Sequence, residues 1–65
     1  MFKMEIFETE MCYGKEDCLQ KLVEILNSLG DITVVDIEKE WKIDKNKASY
    51  SPNIYLVATI IYKEN

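Results

Sequence analysis

The stretch Ile54-Tyr55-Leu56-Val57-Ala58-Thr59-Ile60-Ile61-Tyr62 constrains this chain more than any other. At the two-residue period of a strand, Ile54, Leu56, Ala58, Ile60 and Tyr62 point one way, and Tyr55, Val57, Thr59 and Ile61 the other. Both rows are largely apolar. Such a strand belongs in the middle of a sheet covered on both sides, and the remaining sequence contains one helical pattern, hence one cover. The second cover is expected from another subunit.

Size points the same way. The chain has 65 residues and reads as a single domain, residues 1–65. A domain of about 60 residues buries only about 60% of its unfolded surface, and domains this small commonly need a disulfide, a metal or a partner subunit. His is absent, which removes the commonest transition-metal ligand and general base. Cys12 and Cys18 match no usual metal or redox spacing. Free thiols, no metal, no cofactor and self-assembly are therefore expected. Met1 to Phe7 alternates polar and apolar residues where a signal peptide would need an apolar run, and no run is long enough for a membrane helix. A cytoplasmic protein with no membrane partner is expected.

Taken in order, Phe2 to Glu8 reads as a first strand, with Phe2, Met4 and Ile6 on one face and Lys3, Glu5 and Phe7 on the other. Lys15 to Leu29 reads as the helix. Cys18, Leu19, Leu22, Val23, Ile25, Leu26 and Leu29 fall in its apolar arc, and Gly30 is placed to end it in a left-handed conformation. Thr33 to Ile43 reads as a second strand, with Val35, Ile37, Lys39, Trp41 and Ile43 on one face and Val34, Asp36, Glu38, Glu40 and Lys42 on the other. Its length leaves Trp41 beyond the reach of the helix. Asp44 to Asn53 is a polar connection rich in turn formers.

These elements assemble into an α+β fold of the order β-α-β-β. The three-stranded antiparallel sheet runs first, third, second, with the doubly apolar strand central and the helix on one face. The other face is expected to carry Phe7, Val34, Tyr55, Val57 and Ile61, too contiguous a patch for a monomer, and to be the oligomer interface.

Two resemblances bear on this reading. The start Phe2-Lys3-Met4-Glu5-Ile6-Phe7-Glu8, the segment Val35-Asp36-Ile37 and the ending Ile54-Tyr55 through Ile60-Ile61-Tyr62-Lys63 resemble the small sporulation proteins of spore-forming Firmicutes and their phage-encoded look-alikes. That resemblance implies a fold and a biological neighbourhood, and carries no activity. The order of elements and Trp41 late in the second strand are similar to dodecins, oligomeric flavin-binding proteins. Dodecins place a Gln in the last strand; Ile54 to Tyr62 contains none, so no flavin is expected.

Net charge is −4 and all eight basic residues are Lys, so direct binding to nucleic acid is not expected. No nucleophile has a base beside it, and catalysis is not expected either. The residues suited to a small nucleotide-like ligand are Trp41, Tyr50 and Tyr55, which offer ring faces, and Lys42, Lys45 and Lys47, which offer ammonium groups for phosphate. The leading expectation is a non-catalytic oligomer that sequesters such a ligand between subunits, most concretely a phage-type sponge for a nucleotide-derived host immune signal. The alternative is a protein-interaction module, either sporulation-associated or an acidic mimic of nucleic acid. In that case Asp36, Glu38 and Glu40 would present carboxylates every ~6.5 to 7 Å.

Overall fold

A computed structural model describes residues 1 to 48 and 50 to 65. The elements are β1 (Phe2–Glu8), α1 (Lys15–Ser28), β2 (Ile32–Ile43) and β3 (Ile54–Glu64). β3 pairs antiparallel with both other strands, giving the sheet order β1-β3-β2. The doubly apolar stretch is thus the central strand, as its pattern requires. Among the described residues no helix is long and apolar enough to cross a membrane.

Among the described residues helix α1 comes closest, by its backbone, to β3, the central strand. It starts after an uncapped Gly14, with Glu16 and Asp17 favouring the positive end of its dipole. It stops where Gly30 takes φ +85°, a left-handed conformation costly for any residue with a Cβ. The Gly30 N–H donates to the Asn27 carbonyl at 3.4 Å. Beneath the helix lies a small core of Cys12, Cys18, Leu22, Leu56, Ala58, Ile60 and Tyr62. Leu19 and Val23, in the same apolar arc, stay exposed because one helix on one strand leaves its flank uncovered.

Register decides what each sheet face carries, since residues directly opposite in antiparallel strands share a face. Phe7 faces Ala58 and packs against the core, so it lies on the helix side and not on the open face. Val34 likewise faces Tyr62. Its displacement comes from a β-bulge: Val35 has no partner on β3, and this one extra residue reverses the alternation for everything before it. In place of Phe7 and Val34 the open face carries Phe2, Met4 and Ile6, each about two-thirds exposed, beside Ile61, Val57 and Tyr55 of β3. Asp36, Glu38, Glu40 and Lys42 line its other margin.

Two charged residues of β1 therefore lie on the helix side, where α1 does not reach. The Lys3 ammonium meets the Glu64 carboxylate at 2.7 Å, and the Tyr62 hydroxyl donates to Glu5 at 2.5 Å. Trp41 is within reach of the helix after all: it faces Leu56, packs on the core and lies under the Lys15 ammonium, 5.4 Å from its ring centre. The helix begins over this end of β3, so strand length alone misjudged the overlap. The molecule measures 43 × 16 × 12 Å, and its 13.1 Å radius of gyration exceeds the roughly 11 Å of a compact chain of this length.

Candidate functional site

The chain between β1 and α1 does not leave the sheet cleanly. The Thr9 N–H donates to the Leu56 carbonyl at 2.9 Å, and the Thr9 hydroxyl accepts from the Leu56 N–H at 2.9 Å. Cys12 then rejoins β3, exchanging hydrogen bonds with Ile54 at 2.7 and 3.2 Å. Glu10 and Met11 are forced outward between these anchors. On the opposite side, β2 runs into a turn in which the Asp44 carboxylate accepts from the Asn46 N–H at 3.0 Å, while the Asp44 N–H donates to Asn53 at 2.8 Å.

These two margins flank an open groove of about 500 Å³ at one end of the sheet. Its lining is mostly polar: Glu8, Asp44 and Lys45 give it charges of both signs, Thr9 and Asn46 add neutral polar groups, and Met11, Ile43 and Tyr55 supply the apolar part. The volume falls within the range of about 300 to 1,000 Å³ usual for small-ligand sites.

Of the residues singled out by sequence, the groove gathers Lys45 and Tyr55, with Lys42 opposite Tyr55 on the open face. The Lys42 ammonium is held by Glu40 at 2.9 Å, and that contact raises its pKa. Trp41 is not part of the group: it lies two residues further from the turn than Ile43 and packs against the core under the helix. Lys47 and Tyr50 are exposed in the connection and do not line the groove. Met11, Ile43, Glu8 and Asp44 were missed. The available signal was the closure of the hairpin, which sets Ile43 opposite Ile54 and so brings Asp44 and Lys45 to the start of β3.

The two cysteines lie in the core and not in the groove. Neither is in a disulfide, and both are fully buried. The Cys12 thiol donates to the Glu10 carbonyl at 3.0 Å and Cys18 to that of Ile54 at 3.6 Å. Burial, together with the adjoining Cys18 thiol, pushes Cys12 up from 9.0 to about 11. A thiol held protonated is unreactive. Because the fold retains this proton more tightly than the unfolded chain, the contribution to stability is complete below pH 9.0 and is lost as pH rises toward about 11. Urea midpoints are expected to fall across that window, and to fall less in Cys12→Ala. Equal slopes in the two proteins would assign the effect to the tyrosines and lysines instead.

No protein-family model matches the chain, and neither does any curated protein or solved structure.

Proposed function

We propose that this chain is a non-catalytic binding protein that assembles with itself and sequesters a small, ring-bearing, nucleotide-like ligand. The groove is the observation that supports this reading, because Tyr55 and Lys45 line the same open, mostly polar cleft. Tyr55 offers a face for a base, Lys45 meets an anionic group, and the Glu8 and Asp44 carboxylates accept from hydroxyl or amino groups. Mixed charge favours a ligand with sugar hydroxyls and few phosphates over a polyphosphate. Assembly is supported by the exposure of Phe2, Met4 and Ile6 beside Ile61 on the open face. In a phage setting, one of the two that the sequence resemblance covers, retention without cleavage is enough to silence a nucleotide-derived host immune signal.

The test is native mass spectrometry of the purified protein with a panel of linear and cyclic nucleotides. A discrete ligand mass per subunit or per subunit pair is expected. Tyr55→Ala should weaken binding about 5- to 150-fold, the equivalent of ~1–3 kcal/mol of base stacking. Tyr50→Ala, outside the groove, should bind as the wild type does. An empty wild type across the panel, or equal losses in both variants, sinks this reading.

One observation favours a second reading, that of an interaction module. Asp36, Glu38 and Glu40 form an acidic row on the same face as the apolar residues of β1 and β3. Such a face fits a partner that presents apolar side chains flanked by lysine or arginine. An empty groove, together with capture of one basic protein that Glu38→Lys abolishes, would select it.

A further inference from the structure

The two edges of the sheet differ. β2 is protected by the Val35 bulge and by the alternating charges of Asp36, Glu38, Lys39 and Glu40. β1 has no bulge and no proline, and its register shows which of its backbone groups are free. Thr9, one residue beyond β1, gives its N–H to Leu56 and continues the register in which Glu8 faces Val57. Hydrogen-bonding groups alternate sides along a strand, so Lys3, Glu5 and Phe7 direct theirs to β3, while Phe2, Met4 and Ile6 direct theirs outward.

We propose that a second copy of this chain pairs with that edge, antiparallel, about a two-fold axis at Met4. Met4 then faces the partner's Met4, Phe2 faces the partner's Ile6, and about six backbone hydrogen bonds form, two from each such pair. On the helix side, Lys3 faces the partner's Glu5 and Glu5 the partner's Lys3, so both charges are complementary. Moving the axis to Glu5 sets two carboxylates against each other, and moving it to Lys3 sets two ammonium groups together. Charge therefore selects the Met4 register among its neighbours.

The consequence reaches the open face. Joining two copies through β1 gives six strands in the order β2-β3-β1-β1-β3-β2. The exposed Phe2, Met4 and Ile6 and the half-buried Ile61 of both copies merge into one apolar centre, and the two acidic rows of Asp36, Glu38 and Glu40 become its outer rims. A single chain stacked face to face about its own centre would instead press acidic rows onto apolar or acidic ones. This inference rests on the self-assembly in the reading above, not on its ligand.

Disulfide trapping tests it. Residues on the axis in a hydrogen-bonded pair lie about 5.5 Å apart at Cα, inside the disulfide range of about 4.4–6.8 Å. Met4→Cys under mild oxidation should therefore give a species of twice the 7.6 kDa chain mass. Ile6→Cys is four residues out of register with its own copy, about 13 Å away, and should not. The native thiols are buried and stay out of the reaction. Charge reversal gives an independent measurement: Lys3→Glu and Glu5→Lys should each lose the dimer alone and recover it when mixed. Cross-linking of Ile6→Cys, or none by Met4→Cys, overturns the edge pairing. A wild type that assembles but ignores charge reversal refutes the edge while leaving assembly through the open face intact, and a monomeric wild type refutes both. Ligand uptake is read separately by mass and fails or stands on its own.

Discussion

Ile60→Ala is expected to remove about 2–5 kcal/mol of stability, the usual cost of emptying a fully buried site that cannot collapse. The whole fold is worth only ~3–10 kcal/mol at 65 residues, so this one change removes a large share of it. Ile60 is fully buried on the central strand, in a core of seven side chains to which the helix contributes only Cys18 and Leu22. Few neighbours are free to move into the space. Urea unfolding followed by Trp41 fluorescence should report the loss, since that ring packs against the core. The series should be run at several protein concentrations, because assembly adds to apparent stability. Val23→Ala, on the exposed flank of the helix, should change the midpoint little. A loss below ~1 kcal/mol for Ile60→Ala would mean that this core is not what holds the chain together.

Ile60 and Ile61 are neighbours in sequence, yet only one of them belongs to the core, and this is where the sequence was informative and where it was silent. Apolarity on both faces of Ile54 to Tyr62 was enough to place that strand centrally, and the helical arc and Gly30 were enough to bound the helix. The faces of the edge strands were not legible in the same way. Seven alternating residues in β1 fit β3 in either of two parities, and the choice rests on long-range contacts such as Tyr62 with Glu5 and Phe7 with the core. The bulge at Val35 left one local mark, the adjacent Val34 and Val35 that interrupt the alternation before Asp36 and Ile37, but such a pair fits a strand buried on both faces equally well. The groove was half legible. Lys45 and Tyr55 flank one hairpin and were bound to be close, whereas Met11 reaches it only because the Cys12 backbone bridges to Ile54.

Ile61→Asp is expected to weaken assembly by about 100- to 5,000-fold while leaving the single chain folded, and it separates the two faces of β3 most sharply. Ile61 lies between Met4 and Asp36 on the open face and is only half-buried in one chain. A carboxylate there stays hydrated in the monomer, at a cost of about 0.2–1 kcal/mol for its new like-charged neighbour Asp36. In an assembly that buries the apolar centre it must lose water without a partner, a penalty of about 3–5 kcal/mol. Val57→Asp is a poorer probe. Val57 lies between Glu8 and Glu40, so a third carboxylate would strain the sheet itself and confuse loss of fold with loss of contact. Sedimentation over a concentration series, with circular dichroism on the dilute samples, distinguishes these effects. Ile61 points away from the β1 edge bonds, so Met4→Cys should still cross-link when combined with Ile61→Asp. A cross-linked pair that no longer stacks would place edge pairing and face burial as two separate steps. Unchanged assembly of Ile61→Asp would mean that the open face remains in water and that the apolar residues of β1 serve the edge alone.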